Sequence, residues 1–494
     1  MKKYIFPFLV VFSLFLFALT FRGQAGNPTP HQIEFEENSS GQAFETSQER
    51  SRYAIILSLI NDHSFAIDNY ASMGTPDIGA LKGHYYSFFP PAVSMMAIPL
   101  YILGTQLGAA QIFTFSISTI FSFLTIIMIF LFSKRLGLHW SISAFAAVAF
   151  GFATNAWGYS VTLYAHLVSA FLLLLGLFVV LPLDDKKRGI KAILAWFLYS
   201  MAVFVDFPNL FIFLPIVGLA TLKMVNITEF KEKFKIKINW FVIFAPIIFL
   251  ALMTVYGYYN YIHFGSPLKF SNTIPRVKDL KNTDLSAPES GTDATGALRT
   301  RNLLNGLTSF TVSHDRGILV YSPVVLLFIF GVGYLKKSKK WEEAGLLALP
   351  ATCLVLYSMF GDPYGGWAFG SRYMIAVLPE LCILAGVGLQ RFAKNLLVKI
   401  IYIVVFTYSA AISLLAPLTT NVIPPYVEAR YINLDSWYII NIRMLQKGEL
   451  DSFFYNFVLQ KSIPAVAYYF VILALVVAAG AYFIFTPKKD YENE

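Results

Sequence analysis

The chain has 494 residues, of which 56% are hydrophobic and only 14% are charged. A water-soluble domain carries about 25% charged residues, so this much apolar sequence must face lipid rather than fill one soluble core. The net charge of +9 comes from short basic clusters between apolar runs, which excludes nucleic acid as a partner because a long basic stripe is missing.

The apolar runs predict an all-α integral membrane protein with about 12 transmembrane helices, since crossing a bilayer takes about 20 apolar residues. The first run follows Lys2-Lys3 and lacks an Ala-x-Ala site, which favours an uncleaved span over a signal peptide. The segment 89–104 opens with Pro90-Pro91 and is predicted to lie at the interface. The spans are predicted near 4–20, 111–133, 140–156, 160–182, 190–205, 208–223, 240–259, 317–335, 344–360, 373–391, 397–416 and 465–486.

Basic clusters occur at every second connection between the predicted spans, which places those connections and both termini in the cytoplasm. We therefore predict a multi-pass protein of the cell membrane with its long loops on the outer face. A membrane module is expected over 1–416, with outer loops 21–88 and 260–316, followed by an outer loop at 417–464 and a last span with a cytoplasmic tail at 465–494. The basic clusters are Lys134-Arg135, Lys186-Lys187-Arg188, the stretch 231–237, Lys336 to Lys340, Arg391 with Lys394, and Lys488-Lys489.

The first outer loop, 21–88, concentrates the charged residues that can do chemistry. Its segment 47–60 has apolar residues at helical spacing, which predicts an amphipathic helix along the membrane surface. A carboxylate can accept a proton from a hydroxyl, and arginine can bind a phosphate through its planar fork. The alternative is a solvated surface with structural ion pairs. The residues concerned are Glu49, Arg52, Asp68, Asp77, Lys82, His84, Tyr85 and Tyr86.

Two segments of this loop carry a resemblance to a known family. Glu-Arg-Ser-Arg-Tyr-Ala at 49–54 resembles the Asp-Glu-x-Arg-Tyr-Ala motif of polyprenyl-phosphate-dependent glycosyltransferases of the GT-C type, a group that includes the aminoarabinose transferase of lipid A and the protein O-mannosyltransferases. Gly-His-Tyr-Tyr-Ser-Phe-Phe-Pro-Pro at 83–91 is similar to their Tyr-Phe-x-Lys-Pro-Pro segment. The resemblance departs in having Glu49 for the motif aspartate and Phe89 for the motif lysine.

The resemblance implies a membrane glycosyltransferase that moves a hexosyl or pentosyl group from a polyprenyl-phosphate-linked sugar to an acceptor, with inversion. It implies Glu49 as the catalytic base, with Asp68 as the alternate. The donor phosphate would be bound by Arg52, Lys82, His84 and Arg372. Further substrate contacts are expected from Asp77, Tyr85, Tyr86, Trp157, His166, Arg316 and Trp367.

Later segments of the chain extend the resemblance. They are Asn-Ala-Trp-Gly-Tyr-Ser at 155–160 with His166, Asp-Phe-Pro at 206–208, and Gly-Gly-Trp-Ala-Phe-Gly-Ser-Arg-Tyr at 365–373. Arg372 pairs either with a lipid phosphate or with Asp362 in a local ion pair. His166 is either a ligand or a packing residue, and Arg316 either joins the site or snorkels beside a helix cap.

No spacing of histidine, cysteine or carboxylate side chains predicts a metal site or another cofactor, although the acidic outer loop leaves a divalent cation open. A transporter or lipid flippase is the alternative function, because twelve spans fit one well. A third interpretation is an inactive scaffold, since Phe89 replaces the motif lysine. The sequence identifies neither the sugar nor the acceptor.

Overall fold

The computed structural model describes residues 2–36, 41–181, 188–230, 233–238, 240–277, 280, 298–335 and 340–486. The N-terminal part contains a long helix, the first outer loop and the helix that follows it. Its elements are α1 (Lys2–Thr20), α2 (Pro30–Phe35), α3 (Ser47–Asn61), a 3₁₀ helix (Asp68–Tyr70), α4 (Ala71–Gly74), β1 (Ile78–Leu81), β2 (His84–Ser87) and α5 (Ala92–Gln106).

The middle part is a helical bundle interrupted by one hairpin. Its elements are α6 (Ala110–Leu136), α7 (Trp140–Phe152), α8 (Ala156–Ser160), α9 (His166–Val180), α10 (Arg188–Val205), α11 (Asn209–Ile212), α12 (Leu214–Met224), β3 (Val225–Phe230), β4 (Lys233–Ile238), α13 (Phe241–Phe264) and a 3₁₀ helix (Ser271–Thr273).

The C-terminal part adds further helices and the last outer loop. Its α-helices are α14 (Leu303–Thr311), α15 (Ile318–Tyr321), α16 (Lys340–Ser358), α17 (Leu378–Arg391), α18 (Leu396–Leu418), α19 (Tyr426–Tyr431), α20 (Ile439–Lys447) and α21 (Ala465–Phe485). Three 3₁₀ helices cover Thr300–Asn302, Pro323–Phe330 and Arg372–Val377, and a π-helix covers Phe454–Val458.

Five helical segments among the described residues are long and apolar enough to cross a membrane, by length and composition. Six shorter apolar helices accompany them, and one of these is α5, which was expected at the interface. The protein is therefore a multi-pass membrane protein. The number twelve, the domain limits, the cytoplasmic termini and the outward side of the loops stay predictions. The five segments are Ala110–Leu136, Phe244–Phe264, Arg372–Arg391, Leu396–Leu418 and Ala465–Phe485.

The prediction of an all-α protein is wrong at two antiparallel hairpins, β1–β2 and β3–β4. The first has Lys82 and Gly83 in its turn, with φ of 53° and 84°. Two consecutive residues with positive φ form the tight turn whose twist matches that of paired strands. The predicted span 317–335 is also not one α-helix, because Pro323 separates α15 from a 3₁₀ helix.

The prediction of a helix at α3 is correct, but the prediction that this helix is amphipathic is wrong. Residues 48–58 are buried on every side, so no polar face remains exposed. Helices α4 and α5 pack against it, and charged side chains at positions 49, 50 and 52 are enclosed with the apolar ones. The first outer loop therefore folds into the protein rather than lying on a lipid surface.

Several predicted features lie wholly or partly outside the described residues. These are the basic clusters at 186–188, 231–237, 336–340 and 488–489, the centre of the outer loop 260–316, and the tail after 486.

A buried charge network ties the first outer loop to the last one. Arg22 and Glu45 form an ion pair between side chains that are not exposed at all, and Asp451 Oδ2 lies 3.0 Å from Arg22 Nε. Glu45 also accepts hydrogen bonds from Thr420 Oγ1 (2.5 Å) and from the Asn421 N–H (2.7 Å). The network therefore holds the start of α3 against the segment that follows α18.

Replacing Arg22 with methionine is expected to destabilise the protein by about 3–5 kcal/mol, because Glu45 and Asp451 would remain buried without their cation. Thermal unfolding of the detergent-purified protein measures this effect. The control is Arg276→Met, which removes an ion pair with Asp77 in which the arginine side chain is 53% exposed, and should cost less than about 1 kcal/mol. Equal losses from the two variants would contradict a structural role of the buried network.

Candidate functional site

Two arginines from distant parts of the chain lie near one tyrosine ring at one end of the bundle. The guanidinium carbon of Arg52, on α3, lies 6.0 Å from the centre of the Tyr164 ring, and that of Arg372 lies 5.9 Å from it. They come together because α9, which begins just after Tyr164, packs against the 3₁₀ helix that begins at Arg372. We call Arg52 and Arg372 the arginine pair.

Neither member of the arginine pair forms an ion pair with a carboxylate among the described residues. Arg52 donates to the carbonyl and side-chain oxygens of Gln48 (3.3 and 3.2 Å), while the buried Nε of both arginines has no hydrogen-bond partner. Burial lowers the pKa of Arg52 to about 10, so it remains a cation at neutral pH. Shielded cations with free donors favour an anionic ligand.

Aromatic rings orient both guanidinium groups. Arg52 lies 4.3 Å from the centre of the Phe89 ring, and Arg372 lies 5.3 Å from that of Tyr373. Tyr373 in turn stacks on Tyr357 at 4.4 Å. Phe89 stands at the position of the lysine in the motif Tyr-Phe-x-Lys-Pro-Pro. It therefore presents a ring face to Arg52 instead of placing another cation beside it.

Asp206 and His166 lie beside the arginine pair. His166 Nδ1 is 4.0 Å from Asp206 Oδ2, and its buried Nε2 has no hydrogen-bond partner. The positive charges of Arg52 and Arg372 act on Asp206, but burial is stronger and raises the pKa of its carboxyl to about 6. Asp206 directly follows α10, and its side chain is 24% exposed. It is therefore an acid next to, but not in contact with, two cations.

The sequence reasoning did not identify Asp206 as a site residue, although it noted the Asp-Phe-Pro turn. Tyr164 was missed as well, and no signal in the sequence distinguishes it from a packing tyrosine. For His166 the structure supports a position in the site, since its ring lies 5.9 Å from Tyr164 and 6.1 Å from Tyr373.

Glu49 is fully buried and caps its own helix. Its Oε2 accepts hydrogen bonds from the Thr46 N–H (2.8 Å) and the Thr46 hydroxyl (2.6 Å), and Tyr164 donates to the same hydroxyl (3.0 Å). Burial, followed by the negative charge of Glu45, raises the pKa of Glu49 to about 8. The carboxyl is therefore mostly protonated at neutral pH. Its assignment as a catalytic base stays a prediction, and this environment opposes it.

Asp68 and His84 form a separate, exposed pair at the β1–β2 hairpin. Asp68 Oδ2 lies 2.7 Å from His84 Nδ1, and Asp68 Oδ1 accepts from the Tyr85 N–H at 2.7 Å. Lys82 is at the tip of the same hairpin, and Tyr86 packs against His263 and Phe264 of α13. The described contacts of this group do not include Arg52 or Arg372.

Asp77 connects the hairpin to its surroundings rather than to the arginine pair. It accepts a hydrogen bond from the Ser47 hydroxyl (2.6 Å) and forms an ion pair with Arg276 (3.0 Å). Trp157 is fully buried and donates its indole N–H to Thr20 Oγ1 at 3.0 Å. Both side chains are thus engaged in holding the fold.

Arg316 is not a snorkelling residue, because its side chain is completely buried. It donates to the carbonyls of Tyr364, Gly366 and Ile423, each at 2.9 Å, and so joins the glycine-rich loop to the segment after α18. Asp362 accepts from the N–H groups of Tyr364 (3.1 Å) and Gly366 (2.9 Å). The local ion pair between Asp362 and Arg372 is therefore not formed.

Trp367 lies in the glycine-rich loop before Arg372 and donates its indole N–H to Glu428 Oε2 at 2.6 Å. As for metals, no group of three or more histidine, cysteine, aspartate or glutamate side chains in the described ranges could hold an ion. The question of a divalent cation therefore stays open.

Two structures of ArnT are among the solved structures that this chain resembles. ArnT from Cupriavidus metallidurans in the apo state matches at a TM-score of 0.49 and 12% identity, covering 97% of this chain and 77% of that chain. The crystal structure of ArnT bound to undecaprenyl phosphate matches at a TM-score of 0.45 with the same identity and coverage. Likeness at this level decides neither fold nor activity. No protein-family model matches the sequence, and no curated protein sequence matches it.

Proposed function

We propose that the protein is a membrane glycosyltransferase that moves a hexosyl or pentosyl group from a polyprenyl-phosphate carrier to an acceptor on the non-cytoplasmic face, with inversion. The observation that carries the proposal is the arginine pair, two shielded guanidinium groups without a carboxylate partner among the described residues. The resemblance of segments 49–54 and 83–91 to known transferases supports it independently.

The position of the arginine pair suits a lipid phosphate. Arg372 is the first residue of the apolar segment Arg372–Arg391, so its guanidinium lies at one end of a helix that can cross the membrane. A polyprenyl phosphate keeps its tail among the acyl chains and its phosphate at the boundary. The forked donors of two arginines can bind that phosphate and neutralise the charge that grows on it as the sugar leaves.

Asp206 is our candidate for the base. The acceptor hydroxyl would give its proton to Asp206, and the freed oxygen would form a bond to the anomeric carbon from the side opposite the phosphate. The bond from that carbon to the phosphate oxygen would break, and its electron pair would stay on the phosphate. Asp206 is near enough to both arginines for their charges to act on its carboxyl, yet it is ion-paired with neither.

Glu49 acts in this proposal as a positioning residue. It fixes the first turn of α3 through Thr46, and Arg52 follows on the next turn of the same helix. The Thr46 hydroxyl also accepts from Tyr164, so the cap connects α3 to the ring that both arginines approach.

The test is turnover by the purified protein with a panel of polyprenyl-phosphate hexoses and pentoses. We expect release of free polyprenyl phosphate and a matching mass increase on an added acceptor extract. A transporter or flippase would instead carry the lipid-linked sugar across a vesicle membrane and release no free phosphate. That result would overturn the proposal.

A further inference from the structure

A concave site separate from the arginine pair lies on the last outer loop. A cavity of about 290 Å³ opens between the glycine-rich loop and α19, a size at the lower end of small-ligand sites. Among the residues that the structure describes, Glu428 is the only charged one that lines it, and two of the other lining residues are aromatic. The lining residues are Trp367, Val427, Glu428, Tyr431 and Ile432.

The walls of this cavity are held in place by contacts that need no ligand. Trp367 donates its indole N–H to Glu428, which fixes one ring against the carboxylate. The Ala368 N–H donates to the Ile423 carbonyl (2.9 Å), and buried Arg316 donates to both Gly366 and Ile423. The Tyr426 N–H donates to Asp315 Oδ1 (2.9 Å), which holds the start of α19. A preformed cavity of this kind loses little conformational entropy on binding.

The chemistry of the walls selects the charge of the ligand. Aromatic faces attract cations through their quadrupole, and a carboxylate beside them adds a full negative charge. The indole bond uses Oε2 of Glu428, which leaves Oε1 for a ligand N–H. Tyr431 is 91% exposed and Val427 is 73% exposed, so apolar surface stands open at the rim. The Glu428 carboxylate would repel an anion, and a neutral ligand would gain nothing from its negative charge.

We propose that this cavity binds an organic ammonium group. The source of this group rests on the proposed function: we assign the ammonium group to the acceptor, which would carry it on a sugar or on a lipid headgroup. Trp367 is five residues from Arg372, which limits the distance between their backbones to about 17 Å. An acceptor held at the cavity would have to span no more than about this distance to place a hydroxyl beside the arginine pair.

The experiment measures binding of small probes to the full-length protein by saturation-transfer NMR, in a detergent without amine or sugar groups. The probes are choline, its neutral isostere 3,3-dimethylbutanol, glucosamine and glucose. We expect choline and glucosamine to bind at least tenfold more tightly than their neutral counterparts. Tighter binding of glucosamine would point to an amino sugar, and tighter binding of choline to a headgroup.

Glu428→Gln keeps the size of the side chain and removes its charge, so it should weaken choline binding at least tenfold. The matched control is Asp435→Asn in the same outer loop, where the carboxylate pairs with Arg443 at 2.6 Å; it should leave binding unchanged. Equal binding of choline and its isostere, or full binding by Glu428→Gln, would refute the inference. The assay contains no donor lipid, so its outcome is independent of whether sugar transfer is found.

Discussion

Asp206→Asn is expected to lower kcat for sugar transfer by about 10²- to 10⁴-fold, the usual contribution of a positioned base. The amide keeps the shape of the side chain but cannot accept the proton of the acceptor. Because the pKa of Asp206 is raised to about 6, the parent enzyme should gain activity as pH rises through 6 and level off above it. The variant should lack this acidic limb. Turnover measured from pH 5 to pH 8 checks both.

Glu49→Gln is the comparison that separates the two candidate bases. Glutamine can still accept the hydrogen bonds from Thr46, and the parent carboxyl is mostly protonated at neutral pH because its pKa is about 8. We therefore expect turnover at pH 7 within about tenfold of the parent, a small effect beside that of a lost base. An inactive Glu49→Gln together with an active Asp206→Asn would return the base to Glu49.

Arg372→Ala is expected to reduce kcat/KM by about 10²- to 10³-fold, since it removes one of two groups that stabilise charge on the leaving phosphate. Arg372→Lys keeps the charge but loses the forked donors, so its activity should lie between that of the parent and that of Arg372→Ala. The matched control is Arg391→Ala at the opposite end of the same apolar segment. It should transfer sugar at the rate of the parent.

Arg52→Ala should behave like Arg372→Ala, and the double variant should lose less than the product of the single losses, because both groups act on one phosphate. Each single variant should bind polyprenyl phosphate without sugar more weakly than the parent. The shift in melting temperature that this lipid causes measures the binding. Unchanged binding of polyprenyl phosphate by both single variants would show that the arginine pair does not bind the donor, and would refute the proposed donor site.

The sequence alone determined the membrane character of the protein and the place of its polar chemistry along the chain. Long apolar runs can only be covered by lipid, so they predict spanning helices whatever the packing. The prediction of a helix at 47–60 is confirmed, while the role of Arg52 stays a prediction. Its neighbour Arg372 was recognisable because a charge at the end of an apolar run needs a partner.

Only the tertiary structure decided which of these residues meet. Asp68 and His84 remain on an exposed hairpin, while Asp206, known from the sequence only as part of a turn, and Tyr164 lie with Arg52 and Arg372. It also decided that Glu49 is enclosed rather than open to a substrate, in surroundings that raise its pKa. Local sequence sets helices and turns, but burial and the distance between charges depend on how remote helices pack, and these quantities determine the pKa and the pairing of each group.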